Sequence, residues 1–434
     1  MRAVPPGFTL AAGAAIRISM TQRLTPGRLL PAALGAALLA CGLGAQAAEA
    51  GATWKLSGFG TLGAAHSSYR NADYIASSLK RDGPGYSRSW SADVDSRLGV
   101  QVDVARGRWS GVVQVVSEQR LDGSYLPQVE WANVKYQVTP DFALRAGRIA
   151  LPVFLAADYR KVGYTVPWVR TPVEVYGGQP LSGSDGVDAT LRWGRGALRH
   201  TTQAFYGHTD LDLRNGLRVQ AAAIAGLSHS IEQGAFSGRV SAITGSLTTD
   251  IGKELFTALR AFGPRGQALA DRYAIVDKRL VLVSAGASYD PGAWFLTTEA
   301  GRSRNDSLLG EVSAFYIGAG MRFGAFTPYV GYARARAESP IMDPGLPLAG
   351  LPPRLAATAG MLNAGLNAYL MTIANQSTLS AGLRWDFAPD FALKAQVERV
   401  RPQDGSRGSF TNLQPGWRSG QTAHVTSVAL DFVF

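Results

Sequence analysis

Val425-Thr426-Ser427-Val428-Ala429-Leu430-Asp431-Phe432-Val433-Phe434 closes the chain. Val428, Leu430, Phe432 and Phe434 fall on one face of this stretch, with Ser427, Ala429 and Asp431 opposite. Successive side chains of a strand point to opposite sides, so the spacing predicts a β-strand with one apolar face. A strand of a soluble sandwich rarely ends on an apolar residue with no polar tail. The expectation is a strand whose apolar face needs no water-facing cover.

The same two-residue beat recurs upstream. Leu98, Val100, Val102 and Val104 alternate with Arg97, Gly99, Gln101 and Asp103. Ala132, Val134, Tyr136 and Val138 alternate with Asn133, Lys135 and Gln137. Leu379, Ala381, Leu383 and Trp385 alternate with Ser380, Gly382 and Arg384. Alternation alone does not decide between a soluble sheet and a membrane barrel. The aromatic residues decide. Short connections stand at Arg106-Gly107, Thr139–Asp141, Gly194–Ala197, Glu232–Ala235, Asp290–Ala293, Gly324-Ala325 and Ala388–Asp390. The strands that follow begin near Trp109, Phe142, Leu198, Phe236, Trp294, Phe326 and Phe391. Aromatics gathered at one end of the strands form a girdle at a membrane interface, whereas a sandwich core would hold them mid-strand.

The reading is therefore an all-β protein, a transmembrane antiparallel β-barrel. Its strands are placed at 54–67, 96–105, 108–119, 128–138, 142–149, 186–193, 198–208, 219–231, 236–248, 279–289, 294–302, 312–323, 326–336, 377–387, 391–401 and 422–434. Sixteen strands enclose an aqueous channel, whereas eight would be filled by side chains. Helical stretches are expected at 252–262, with Leu255, Leu259 and Phe262 on one face, and at Leu355–Leu370.

Composition fits. The chain has 434 residues, 46% hydrophobic and 17% charged, with Gly 50, which excludes a disordered chain. The formal charge is +11 with no basic block carrying interleaved aromatics, so no nucleic-acid partner is expected. Arg23 and Arg28 precede an apolar run from Leu29 to Leu43, and Ala45-Gln46-Ala47 supplies small residues for cleavage. Residues 1–47 read as a secretory signal peptide, with Met20 an alternative start, and 48–434 as the barrel. Cys41, the sole cysteine, falls in the leader, so a cleaved chain has no thiol.

The long loop at 150–185 carries Tyr159, Tyr164, Trp168 and Tyr176 and is expected to pack against the barrel interior. Its Asp158, Arg160, Lys161, Arg170 and Glu174, with Arg145 on the wall, are the candidate pore constriction. By parity Arg97, Lys135, Glu118, Arg192 and Arg384 line the lumen, as do Arg239, Arg322, Lys394, Asp103, Asp188, Glu299, Asp386 and Glu398. This lining is mixed, with a slight bias toward anions. The histidines are scattered and no hydrolase, metalloprotease or phosphate-binding motif appears. Neither a catalytic residue nor a metal or cofactor is assigned.

Leu56-Ser-Gly-Phe-Gly-Thr-Leu-Gly, Pro127-Gln-Val-Glu-Trp-Ala-Asn-Val-Lys-Tyr, Gly147-Arg-Ile-Ala-Leu-Pro, Ala157-Asp-Tyr-Arg-Lys-Val-Gly-Tyr and the terminal Phe resemble the Gram-negative outer-membrane porin superfamily. So does the segment beginning Arg81-Asp-Gly-Pro-Gly-Tyr-Ser-Arg-Ser-Trp. The resemblance implies a homotrimeric, sixteen-stranded channel of the cell outer membrane with an inward-folded third external loop. It implies that Phe432 and Phe434 are read by the barrel-assembly machinery. The expected function is passive diffusion of small hydrophilic solutes, mildly favouring anions. A channel selective for small organic anions such as dicarboxylates is the alternative, and an outer-membrane barrel enzyme a distant one.

Overall fold

The computed structural model describes residues 51–434, apart from 79, 179–181 and 214–216. The leader predicted at 1–47, with Met20 and Cys41, lies outside the described residues.

Sixteen strands close into one antiparallel barrel. They are β1 (Thr53–Ser67), β2 (Arg97–Arg106), β3 (Trp109–Glu118), β4 (Gln128–Gln137), β5 (Phe142–Ala150), β6 (Gly183–Arg195), β7 (Leu198–Asp212) and β8 (Arg218–Gln233). Then come β9 (Phe236–Thr249), β10 (Lys278–Tyr289), β11 (Trp294–Asn305), β12 (Val312–Met321), β13 (Phe326–Ala337), β14 (Gln376–Ala388), β15 (Phe391–Pro402) and β16 (Ala423–Val433). Each pairs with its neighbours in sequence, and β1 pairs with both β2 and β16 to close the wall. The placement from sequence agrees within a few residues at every strand.

Tight connections at one end explain the neighbour-to-neighbour order. Gly107 and Gly324 each adopt a left-handed conformation, φ 59° and 60°, in the turns into β3 and β13. A side chain is disfavoured there, so glycine fits a hairpin too short for a relaxed loop.

The two faces of the wall differ as the alternation requires. Trp54, Leu62, Val134, Trp193, Tyr206, Val330 and Leu379 are at least half exposed. Most intervening residues of the same strands are buried or half-buried. A closed cylinder with large apolar side chains on its open side is shaped for hydrocarbon, where every backbone group must be satisfied by a ladder with no free edge. Rings stack along the short-turn rim, as in Phe326 on Trp385 at 5.8 Å and Phe391 on Phe432 at 6.0 Å between centroids.

The seam is built on glycine. A Cβ at Gly58 would stand 2.2 Å from the Phe434 ring, and one at Gly60 2.3 Å from the Phe432 ring. Gly58 and Phe434 also exchange backbone hydrogen bonds of 2.8 and 3.0 Å. The Leu56–Gly63 stretch thus receives the closing strand face to face, with no side chain in the way of either ring.

Helices stand at the end with long loops. α1 (Val173–Tyr176) is one turn between β5 and β6. α2 (Lys253–Arg260) and α3 (Gly263–Tyr273) replace the single helix expected at 252–262. The chain breaks at Gly263, whose φ is 74°. Phe256 and Leu259 are buried, whereas Leu255 and Phe262 pack only at the margin. α4 (Pro353–Leu370) matches the second expected helix and buries Leu366 and Leu370 completely. Among the described residues no helix is long and apolar enough to cross a membrane, which leaves crossing by strands untouched.

Candidate functional site

The polar face of the wall has two kinds of surface, distinguished by what the 151–182 connection touches. That connection follows β5 and makes hydrogen bonds to side chains of many strands. Ser241 of β9 donates to the Pro152 carbonyl at 2.8 Å, and Ser284 of β10 to that of Val153. Arg239 donates to the Phe154 carbonyl at 2.7 Å. The Leu155 amide donates to Glu299 of β11 at 2.7 Å, and the Tyr176 and Tyr316 hydroxyls donate to the same carboxylate. Trp168 sits edge-on to Phe295, Tyr316 and Tyr329, with centroids 6.0 to 6.3 Å apart.

Two ionic anchors hold the middle of this connection. Lys394 of β15 is fully buried and donates to the carbonyls of Gly163, Val166 and Trp168 at 2.7, 2.6 and 3.1 Å. The same ammonium lies 2.7 Å from Asp431 of β16, which also accepts from Thr61 at 2.5 Å. Arg170 forks onto Asp95 at 2.9 and 2.7 Å, pairs with Glu398 and donates to Ser427 at 2.5 Å. A planar guanidinium suits such a site because its donors match a carboxylate pairwise. Burial disfavours the Arg170 charge, but Asp95 and Glu398 outweigh it and raise its pKa well above the usual arginine range. Glu174 is buried too, and burial raises its pKa although Gln376 and Thr378 donate to it.

The residues expected at a constriction are thus distributed unevenly. Arg170 and Glu174 are buried within the packed connection. Asp158 is exposed and lies 3.6 Å from Arg239. Lys161 bridges Glu118 at 2.9 Å and Glu130 at 2.8 Å. Burial works against its charge, and those two carboxylates overcome it and raise its pKa. Arg160 is partly exposed near the same acids, and burial lowers its pKa. Arg145 pairs with Asp188 of β6 at 2.6 Å. Arg384 donates to the carbonyls of Tyr164 and Val166 at 2.6 and 3.1 Å and pairs with Asp386.

The wall from β2 to β7 carries polar groups that bond chiefly to each other. Gln114 donates to Gln101 at 2.8 Å, and Gln101 to Asp103 at 2.9 Å. Lys135 stands within electrostatic reach of Arg192 and of the Arg145–Asp188 pair. Arg97 of β2 holds the Asp95 carbonyl at 3.2 Å, and Lys80 holds those of Asp93 and Gln119 at 3.2 and 3.0 Å. Burial lowers the Lys80 pKa to about 8, with Glu118 opposing. Among the described residues no group of three or more His, Cys, Asp or Glu is placed to hold a metal.

Sequence reasoning missed Asp95, Glu130 and Asp431, and also Gln396, which accepts from the Val169 amide at 3.1 Å and the Tyr329 hydroxyl at 2.8 Å. Asp431 had a readable signal, an acid in an otherwise apolar and small closing strand. Asp95 and Glu130 had none, because their partners are set by closure of the barrel.

No protein-family model matches the chain, and no curated protein matches it. Solved structures do. OmpF of Salmonella typhi, in complex with daunomycin, superposes with a TM-score of 0.53 at 12% identity, covering 88% of this chain and 98% of that one. DcaP, an outer membrane channel of Acinetobacter baumannii, gives 0.48 at 13% identity, covering 89% and 98%. A mutant of the Rh. blastica porin gives 0.46 at 10% identity, covering 88% and 100%. The chain has a porin-type fold.

Proposed function

We propose that this protein is a passive channel of the Gram-negative outer membrane, exported by its leader, working as a homotrimer and admitting small hydrophilic solutes with mild preference for anions. One observation carries the reading. In a closed sixteen-stranded barrel, the 151–182 connection bonds to the polar face around β9 to β16 and, through Lys161, to Glu118 of β3 and Glu130 of β4, while other polar groups of β2 to β7 bond to each other. A connection folded across the interior in this way narrows the passage without filling it. The anion preference is supported by Lys135, which stands within electrostatic reach of two further cations, Arg145 and Arg192, and of one carboxylate, Asp188. A fixed charge in a water-filled passage acts between the limits of about 1 and 4 kcal/mol at 4 Å, so it biases ions and does not exclude them.

The same cluster favours a second reading, selective passage of small organic anions whose carboxylates meet those cations. Transport, not catalysis, is the activity proposed. Planar-bilayer recording of the purified protein tests all of this. Large ohmic steps with weak chloride preference support the passive channel. Small steps blocked by a dicarboxylate support the selective one. Absence of conductance from inserted protein refutes both.

A further inference from the structure

Pairing of β7 with β8 brings two of the scattered histidines together. His200 lies near the start of β7 and His229 near the end of β8, 29 residues apart in the chain. Nδ1 of His200 stands 3.2 Å from Nε2 of His229. Both have the outward parity. His200 pairs across the strands with Trp193 of β6, which is 51% exposed. His229 lies two positions along β8 from the exposed Leu227. The histidines themselves are half-buried, so water reaches them. Both stand near the short turns that flank β7 and β8, at the aromatic rim.

Each ring is held by a neighbour. The His200 imidazole lies flat on the Trp193 indole, with centroids 3.7 Å apart and planes 7° from parallel. The Thr202 hydroxyl is 2.9 Å from Nδ1 of His229. When that Nδ1–H donates to Thr202, Nε2 keeps its lone pair, the form in which imidazole binds a metal. The strand neighbours Ile231 and Val240 complete the surround and are apolar. Neither of them brings a charge to the pair.

We propose that His200 and His229 bind one divalent transition-metal ion, of the copper, zinc or nickel class, on the outer surface of the turn-side rim. Two ligands of a tetrahedral ion, each about 2.0–2.1 Å from it, stand about 3.3 Å from each other. The two ring nitrogens already have that spacing. Imidazole nitrogen suits these ions, whereas magnesium and calcium take oxygen ligands, which the strand neighbours Trp193, Ile231 and Val240 do not supply. Stacking on Trp193 and the bond to Thr202 orient both rings before an ion arrives, so binding has little left to order. Two protein ligands leave the other positions to water. That makes the site an exchangeable one, unlike a structural site closed by four protein ligands. The inference goes beyond the channel reading, because the pair lies outside the lumen.

The test uses the whole exported chain in a neutral detergent, treated with a chelator and desalted. Copper(II), zinc and magnesium salts are titrated separately by calorimetry, and the copper form is read by electron paramagnetic resonance. One copper should bind per chain, more tightly than zinc, with hyperfine splitting from two nitrogens. Millimolar magnesium should not compete. Thr202→Val, which frees the His229 ring, should weaken copper binding about tenfold. His200→Gln and His229→Gln should each weaken it further and remove one nitrogen from the spectrum, with single-channel conductance unchanged. His66→Gln/His208→Gln/His424→Gln removes the remaining histidines and should leave affinity and spectrum as they were. Unheated gel mobility checks that each variant has folded. Unaltered copper binding by His200→Gln or His229→Gln overturns the proposal, as does loss of binding in the triple variant or displacement by magnesium. Absence of binding reduces the pair to a hydrogen bond between neutral rings, and one ion per two or three chains shows a bridge between copies. Either also overturns it. Failure of the channel reading appears separately, as absent conductance in the unaltered protein.

Discussion

Replacing Arg170 by alanine should loosen the barrel and its 151–182 connection together. The guanidinium stands among Asp95, Glu398 and Ser427, and the three charged side chains are 4%, 1% and 6% exposed for Arg170, Asp95 and Glu398. Removing it leaves two buried carboxylates facing each other without a counter-charge. Breaking a buried ion pair from one side costs about 3–5 kcal/mol, most of it the stranded charge and not the lost attraction. Two carboxylates are stranded here, so the upper part of that range is expected. The carboxylates can escape by taking up protons, which limits the loss. Urea unfolding of barrels refolded into vesicles measures the loss, and the Arg170→Ala/Asp95→Asn/Glu398→Gln triple variant separates charge from packing. The triple variant should recover more than half of the loss. Because Lys394 and Glu299 still anchor the connection, open-channel current should become noisier and larger without collapse. A loss below about 1 kcal/mol, or a triple variant no better than Arg170→Ala, would refute the clamp.

Chloride preference should fall as pH rises from 7 to 9. Burial depresses the Lys80 pKa from 10.5 to about 8, so its positive charge is present below that value and gone above it. Between about 8 and 10.5 the unfolded chain binds the extra proton, so the barrel gains stability as pH rises through that window. Reversal potentials in a salt gradient should not move with pH in Lys80→Met, and an identical pH response would exclude Lys80 as the source. Deleting Phe434 should cut the yield of inserted barrel far more than its burial, worth about 1.5–3 kcal/mol, would explain. Normal outer-membrane yield of the truncated chain counts against a recognition role for that residue. Cysteines placed separately at Val100 and Gln101 should differ in labelling by a water-soluble thiol reagent, with 101 reactive through the lumen. Equal labelling would contradict a wall with one lipid face. Arginine at Val330 on that face should cost about 2–4 kcal/mol at mid-membrane depth, measured against Arg at an aqueous position by the same urea assay.

What the sequence determined was everything carried by neighbours along the chain. Side-chain direction in a strand depends only on residue parity, so Val428 to Phe434 and Leu98 to Val104 announce their faces without reference to any partner. Turns such as Arg106-Gly107 and Gly324-Ala325 fix antiparallel order locally, and sixteen such strands follow by counting. The tertiary structure alone decided which charges meet. Asp95 and Glu398 stand 75 and 228 residues from Arg170 and are delivered to it by closure of the cylinder. Parity placed Lys394 on the inner face, but its three carbonyl partners come from a connection 226 to 231 residues earlier. A constriction reading built on Arg170 and Glu174 counts charges in one loop, whereas their burial depends on the wall opposite.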